Sequence, residues 1–165
     1  MKVKEVMTPN AKACTPTTSL AEAAAFMWEN DCGVLPVVTG GGKVVGIITD
    51  RDICMSAFIN NRNLANIAVE DVISGKVYSA GPDDDIAKAL ETMRERKVRR
   101  LAVVDKEGGL EGILSLNDIV LKTQEPKGKG KQIPGVVYKD ILDTFKAICA
   151  HNIQSQKSKS RVASV

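Results

Sequence analysis

Two short stretches, "GIITDRDI" at residues 46–53 and "GILSLNDI" at residues 112–119, share one pattern. In each stretch an apolar run ends in a Thr or a Ser, and an Asp follows three residues later. When the sequence is shifted by 66 residues, residues 3–53 align with residues 69–119 without a gap, and 15 of the 51 pairs are identical. The chain therefore contains a duplication, and we expect its two repeats to fold in the same way.

The first helix of each repeat is predicted by apolar residues at helical spacing. In the first repeat, Ser19 and Glu22 form a capping box that begins the helix. In the second repeat, Asp85 takes the place of the cap. The apolar positions are Leu20, Ala23, Ala24 and Met27 in one repeat and Ile86, Ala89, Leu90 and Met93 in the other.

The rest of each repeat predicts strands and a second helix. "VLPVV" and "VVGII" are separated by the glycine turn "TGGGK", and "RLAVV", "DKEGG" and "LEGIL" repeat the pattern. A helix follows each second strand, and a short strand is expected near residues 11–14 and near residues 77–79. The order is thus β-α-β-β-α, and such a unit leaves one sheet face exposed. We predict an α+β fold in which two β-α-β-β-α repeats, related by pseudo-twofold symmetry, pack their sheets face to face.

Charge divides the 165 residues unevenly. Residues 1–121 carry 14 basic and 17 acidic groups, whereas residues 122–165 carry 9 basic and 3 acidic groups. "VVYKDILDTFKAIC" places Val137, Ile141, Leu142, Phe145 and Ile148 along one predicted helical face. We therefore expect a C-terminal helix that docks on the body of the protein or on a second chain. The predicted organisation is repeat one at residues 1–66, repeat two at 67–122, a Lys/Gly linker at 123–135, a C-terminal helix at 136–151 and a disordered basic tail at 152–165.

The sequence favours a cytoplasmic protein. The four cysteines form no CxxC pair, and the start "MKVKEVMTP" lacks the apolar core of a signal peptide. No apolar run has the length that a membrane helix needs. We therefore expect reduced cysteines and no membrane association.

The paired hydroxyl and carboxylate admit two interpretations. A hydroxyl at the N-cap with an acid three residues later is a variant capping box, which needs no ligand. A helix start at the end of a strand also presents free amides to an anion, and a carboxylate there can accept from both hydroxyls of a ribose. Arg99 and Arg100 sit where a strand begins and would hold phosphates. The alternative for these two arginines is a solvated basic corner that continues "RERKVRR".

Three other signals point away from catalysis and metal binding. "GGGK" at residues 40–43 lacks the spacing of a phosphate loop and predicts a hairpin turn. "DDD" at residues 83–85 is explained by an acidic helix start. His151 is the only histidine and lies outside both repeats, so we expect no enzymatic activity and no metal site.

The repeat, closed twice by "GIITDRDI" and "GILSLNDI", resembles a tandem pair of CBS domains, also called a Bateman module. "VRRLAVVDKEGGLEGILSLNDI" resembles the nucleotide-binding repeat of the gamma subunit of the AMP-activated protein kinase. "TDRDI" with "VRRLAVVD" is similar to stand-alone bacterial CBS proteins such as the hypoxic response protein. This resemblance implies two pseudo-symmetric sites in a cleft between the repeats, commonly holding AMP, ADP or ATP.

The resemblance also implies the residues of both sites. In one site, Asp118 would hold the ribose, Ser115 and Asn117 the phosphate side, Arg99 and Arg100 the phosphates, and Ile113 the base, with Met7, Lys12 and Cys32 facing them. The equivalents in the other site are Asp52, Thr49, Arg51, Gly33, Val34 and Ile47, faced by Ile73, Tyr78 and Val98. Gly33 and Val34 replace the two arginines, so the sequence does not support phosphate binding at this site through those two positions.

The implied function is a ligand sensor that regulates another protein. Family modules form homodimers, and the helices after Asp52 and Asp118 would be the interface. The regulated effector would be a separate polypeptide. An alternative is an adaptor that binds a protein or a nucleic acid through the basic tail. We do not expect nucleic-acid binding, because no aromatic residues interleave with the basic ones.

Overall fold

The computed structural model describes residues 1–60, 62–122 and 138–159. These residues form two compact units. The sheet unit comprises Thr8–Gly81 and Ala102–Ile113, and the helical unit comprises Met1–Met7, Pro82–Leu101 and the described residues from Leu114 onward. Each unit contains residues of both sequence repeats, so the compact units do not coincide with the duplicated segments.

Two sheets lie within the described residues. The strands are β1 (Thr8–Pro9), β2 (Val34–Val38), β3 (Val44–Thr49), β4 (Ser79–Ala80), β5 (Arg100–Val104) and β6 (Leu110–Ser115). β2 and β3 form an antiparallel pair, and the other four strands form a sheet in the order β1-β6-β5-β4. β1 runs antiparallel to β6, and β4 runs parallel to β5.

Five α-helices accompany these strands in the described part of the chain. They are α1 (Leu20–Glu29), α2 (Asp50–Asn60), α3 (Ile86–Arg96), α4 (Leu116–Lys122) and α5 (Tyr138–Lys159). Short 3-10 helices cover Val3–Glu5, Leu64–Asn66 and Val69–Asp71. The predicted α+β class and the helix after the last strand of each repeat are confirmed.

The two predicted helix caps differ in outcome. The Ser19 hydroxyl accepts from the Glu22 amide at 3.2 Å, and the Glu22 carboxylate accepts from the Ser19 amide at 2.9 Å, so the capping box is confirmed. This capping bond lowers the pKa of Glu22. Asp85 occupies the N-cap position of α3 but makes no capping bond with its side chain. Its carboxylate instead pairs with the Lys2 ammonium at 3.0 Å, so the predicted cap is wrong for the second repeat.

Each repeat begins with a 3-10 turn that bonds to the loop before the first helix of the other repeat. In the sheet unit, the turn Val69–Asp71 bonds to the loop before α1, and in the helical unit the turn Val3–Glu5 bonds to the loop before α3. In the sheet unit, the Val69 amide donates to the Thr18 carbonyl, the Glu70 amide to the Pro16 carbonyl and the Leu20 amide to the Ile67 carbonyl. In the helical unit, the equivalent bonds run from Val3 to Asp84, from Lys4 to Pro82 and from Ile86 to Met1. The repeats therefore exchange their first segments, and this exchange explains why the compact units and the sequence repeats differ.

The predicted strand near residues 11–14 is wrong. Cys14 makes only an isolated parallel bridge with Val37. The strand of this region is instead β1 at Thr8–Pro9, which pairs with Ile113 and Gly112 of β6. A strand of two residues has no alternating pattern that the sequence could show.

The glycine turns of both hairpins form as predicted, and they bond to each other. Gly42 and Gly108 have φ values of 77° and 86°, a conformation that glycine adopts without the steric cost that a Cβ would bring. The Val44 amide donates to the Gly108 carbonyl at 3.0 Å, and the Leu110 amide donates to the Gly42 carbonyl at 3.2 Å. The two bonds join equivalent positions of the duplication, so "GGGK" has a structural role as a turn.

The predicted apolar faces of the first helices are buried. α3 buries Ile86, Ala89, Leu90 and Met93, and α1 buries Leu20, Ala23 and Met27, while Ala24 is half-buried. The core of the sheet unit packs α1 against β2 and β3 through residues such as Leu35, Val37 and Ile48. Burial of these apolar side chains is the main term that stabilises the unit.

The C-terminal helix α5 is longer than predicted and buries part of the predicted apolar face. It continues past residue 151 to Lys159, so residues 152–159 of the tail expected to be disordered are helical. Ile141 and Thr144 are buried, whereas Leu142 and Phe145 are 53% and 42% exposed. The predicted face is thus buried at Ile141 and half-buried at Ile148, whereas its residues Leu142 and Phe145 are exposed within this chain. The predicted linker, Val137 and residues 160–165 lie outside the described residues.

Candidate functional site

The first hydroxyl and carboxylate pair, Thr49 and Asp52, lies where β3 ends and α2 begins. We call this junction the first corner. The Oδ2 atom of Asp52 accepts from the Thr49 amide at 2.9 Å and from the Thr49 hydroxyl at 2.7 Å. The Asp52 amide donates back to the Thr49 hydroxyl at 3.3 Å. Both side chains are half-buried.

The second pair, Ser115 and Asp118, repeats this geometry where β6 ends and α4 begins, a junction that we call the second corner. The Oδ2 atom of Asp118 accepts from the Ser115 amide at 2.8 Å and from the Ser115 hydroxyl at 2.7 Å, and the Asp118 amide donates to that hydroxyl at 3.1 Å. The capping interpretation is therefore confirmed in both repeats. In the part of the chain that the structure describes, Oδ1 of each aspartate accepts no hydrogen bond. At each corner a single carboxylate oxygen therefore accepts both bonds of the cap.

The start of β5 is tied to the second corner. The Arg99 carbonyl accepts from the Leu116 amide at 3.0 Å, which brings Arg99 next to the residue that follows Ser115. The side chain of Arg99 is exposed and that of Arg100 is half-buried. Asn117 is exposed on the first turn of α4. The helical unit thus contains Arg99, Ser115 and Asp118, and the backbone of Arg99 is bonded beside the Ser115–Asp118 pair.

The first corner has the same backbone link but different chemistry. The Asp50 amide donates to the Gly33 carbonyl at 3.4 Å, in the position of the bond from Leu116 to Arg99. A Cβ atom on Gly33 would lie 2.7 Å from Oδ2 of Asp50, so this carboxylate fills the space into which a side chain would project. The first corner therefore carries an acidic group where the second carries Arg99. Asp50 was not among the predicted site residues, although its mismatch with Leu116 in the aligned repeats is a visible signal.

The apolar residues predicted for the first site are partly assembled in the sheet unit. Ile73 packs on Gly46, since a Cβ atom there would lie 2.6 Å from Cδ1 of Ile73, and Ile47 is the next residue of β3. Tyr78 is half-buried, and its carbonyl accepts from the Ala102 amide at 3.3 Å. Val34 is only 8% exposed. Val34 therefore belongs to the core and offers little surface to a ligand.

The remaining predicted residues are divided between the two units. Met7 and Val98 are half-buried in the helical unit. Lys12 and Arg51 are exposed in the sheet unit, which also contains Ile113, the partner of Thr8 in the β1-β6 pair. Cys32 lines a groove between α1 and α2, together with Trp28 and Asp50.

The three consecutive aspartates are used in ion pairs. Asp83 pairs with Lys4 at 2.7 Å, Asp84 with Lys88 at 3.0 Å, and Asp85 with Lys2 at 3.0 Å. The hydrogen bond from Lys4 to Asp83 raises the pKa of Lys4. Among the described residues, no three His, Cys, Asp or Glu side chains are grouped as a metal ion would require.

A comparison with known protein families identifies both repeats of the chain. Residues 3–57 and residues 69–124 each match the CBS domain. The chain belongs to the CBS-domain family. The two corners are thus the equivalent ends of two CBS repeats, and the family predicted from the duplication is confirmed.

Known CBS proteins are similar over most of the chain. The CBS domain-containing protein YhcV of Bacillus subtilis is 29% identical over 139 residues, which are 84% of this chain and 97% of YhcV. The CBS domain pair of protein MJ0100, solved in complex with 5-methylthioadenosine and S-adenosyl-L-methionine, has a TM-score of 0.67 and 26% identity over 73% of this chain and 94% of that structure. CBSX2 in complex with AMP has a TM-score of 0.63 and 27% identity over 73% of this chain and 93% of that structure.

None of the helices in the described ranges has the length and apolar character needed to cross a membrane.

Proposed function

We propose that this chain is a non-enzymatic regulatory module that binds an adenine nucleotide, AMP, ADP or ATP, and signals to a separate protein. The observation that carries the proposal is the second corner, where Oδ1 of Asp118 is open beside Ser115 and Arg99 is held next to them. A carboxylate oxygen at such a corner accepts from the hydroxyls of a ribose. Arginine side chains bond phosphate oxygens with charge assistance.

The solved CBS structures support the choice of ligand class. CBSX2 was solved with AMP, and the MJ0100 domain pair was solved with two other adenosine compounds. All three ligands contain an adenosine group. We therefore propose that Arg99 and Arg100 distinguish nucleotides from the other adenosine compounds by binding the phosphates. We propose the second corner as the phosphate-binding one, because the first has Asp50 beside Gly33 where the second has Arg99.

The signalling part of the proposal requires an effector in another polypeptide. Both repeats match CBS domains, so we place the regulated activity outside residues 3–124. We further propose a homodimer that uses the helices after Asp52 and Asp118. A nucleotide would shift such an assembly only by binding one arrangement more tightly than another.

Isothermal titration calorimetry with AMP and Asp118→Asn tests the ribose contact. The carbonyl oxygen of the new asparagine side chain can still accept from Ser115. The other carboxylate oxygen is replaced by an amide NH2 group, which cannot accept a hydrogen bond from a hydroxyl. A hydrogen bond to a charged group contributes about 1.5–3 kcal/mol, so we expect the Kd for AMP to rise about 10- to 150-fold.

Asp52→Asn is the matched control, because it changes the same capping box in the other repeat. We expect AMP binding at the second corner to be unchanged in this variant. Arg100→Gln should weaken AMP but leave the affinity for adenosine within about twofold, since only the phosphate contact is lost. The proposal is wrong if AMP, ADP and ATP all fail to bind, or if Asp118→Asn binds AMP as tightly as the unmodified chain.

A further inference from the structure

The C-terminal helix α5 has two apolar stripes, and its own molecule uses one of them. The inner stripe, Ile141, Thr144 and Ile148, is buried or half-buried. The outer stripe, Leu142, Phe145 and Cys149, has the same spacing and is exposed. Residues three, four and seven apart share one face of a helix. The outer stripe is therefore a continuous apolar face with no partner among the described residues.

In the helical unit, α5 packs along α3, the first helix of the second repeat. A groove of about 400 Å³ between the two helices is lined by Leu90 and Arg94 of α3 and by Thr144 of α5. The duplication pairs these α3 residues with Ala24 and Trp28 of α1. The flank of α1 that contains Ala24 and Trp28 is thus the equivalent of the flank that α5 occupies on α3.

This flank of α1 is open in the sheet unit. Ala24, Met27 and Trp28 line a groove of about 490 Å³ with Ile53 of α2, which we call the α1-α2 groove. Trp28 at its edge is 88% exposed, and Phe58 of α2 is 85% exposed. Aromatic side chains are enriched at protein interfaces relative to the rest of the surface.

The charges of the two surfaces are complementary. Asp31 and Asp50 line the α1-α2 groove. Lys139 and Lys146 are exposed on α5, three residues before and four residues after Leu142, so both lie beside the outer stripe. An apolar helix face with basic flanks fits an apolar groove that carries two carboxylates.

We propose that the outer stripe of α5 docks into the α1-α2 groove of a second molecule of this protein. A twofold axis then gives two equivalent contacts, with α5 of each molecule in the groove of the other. Each α5 would pack on its own α3 with the inner stripe and on the partner molecule with the outer stripe. The inference rests on the homodimer of the proposed function and not on nucleotide binding. It keeps α2 in the interface and adds α1 of one molecule and α5 of the other.

The cysteines of the chain can test this contact without added residues. Cys54 lines the α1-α2 groove, and Cys149 belongs to the outer stripe; both are exposed, whereas Cys14 is buried. The full chain is treated with a short bismaleimide, and the dimer band is digested and analysed by mass spectrometry. We expect peptides that join Cys149 of one molecule to Cys54 of the other, and their loss in Cys149→Ser.

Other crosslinking results overturn the inference in distinguishable ways. Links only between two Cys54 residues, or only between two Cys149 residues, would leave a homodimer but place its contact elsewhere. A link from Cys149 to Cys54 in a product of monomer mass would show that the contact lies within one molecule. If no crosslinked dimer forms although a monomaleimide labels both thiols, the proposed contact is also wrong.

Sedimentation velocity on the same chain separates failure of the contact from failure of the homodimer. A monomer at every accessible concentration contradicts both. For a dimer, we expect Trp28→Ala to raise the dissociation constant at least about tenfold, because buried tryptophans dominate interface energies. Lys146→Glu should raise it about two- to fivefold, and adding Asp31→Lys should restore most of the loss. An unchanged dimer in Trp28→Ala refutes the proposed groove.

Discussion

The contact between Gly46 of β3 and Ile73 makes a quantitative prediction about packing in the sheet unit. A Cβ atom on Gly46 would lie 2.6 Å from Cδ1 of Ile73, but 3.4 Å from its Cβ and 3.5 Å from its Cγ1. Only the terminal methyl group is therefore in conflict with an alanine. Ile73→Val deletes that methyl group and leaves separations of ordinary van der Waals contact.

The expected free energies of unfolding follow from this geometry. Overpacking a core costs about 1–3 kcal/mol, and the reduced freedom of the unfolded chain returns about 0.4–1 kcal/mol for Gly→Ala, so Gly46→Ala should lose about 1–2 kcal/mol. Ile73→Val alone should lose about 0.5–1 kcal/mol, because the side chain is only half-buried. In the double variant the clash is absent. We expect it to be more stable than the sum of the single changes predicts by about 1 kcal/mol or more.

Urea denaturation followed by far-ultraviolet circular dichroism measures these values. Gly40→Ala is the control, since nothing lies within 4 Å of a Cβ atom there, and it should show only the gain of about 0.4–1 kcal/mol that comes from the unfolded chain. Strict additivity of the two single changes would refute the reasoning. It would mean that Ile73 is not the side chain whose position requires glycine at residue 46.

Two further predictions concern titratable groups. Burial raises the pKa of the Cys14 thiol to about 11. At pH 8 a disulfide reagent should therefore modify the exposed Cys149 rapidly, and it should modify Cys14 only as fast as the fold opens. Equal modification rates for the two thiols in the folded protein would contradict this prediction. The Ser19 capping bonds lower the pKa of Glu22 from its ordinary value of 4.5, so its contribution to stability is present above pH 4.5 and is lost as the pH falls through the lowered folded-state pKa. The stability difference between the unmodified chain and Glu22→Gln should accordingly be larger at pH 7 than at pH 3, and a difference independent of pH would count against the capping box.

Much of the second corner could be predicted from the sequence because its bonds are local. Ser115 and Asp118 are three residues apart, and any chain that leaves a strand and enters a helix there brings them into contact. What the sequence left open was how many carboxylate oxygens the cap uses. The structure shows that one oxygen, Oδ2 of Asp118, takes both bonds from Ser115.

The sequence by itself determined the capping box of α1 and the glycine turns, because each depends on residues within a few positions of one another. The duplication is also visible in the sequence by itself, because its two copies align at a constant offset without a gap. The tertiary structure decided which segments exchange, that Asp50 fills the space beside Gly33, and which stripe of α5 is buried. These outcomes depend on contacts between residues distant in the chain. Two neighbouring stripes of α5 are similarly apolar, and only the surface of α3 selects between them.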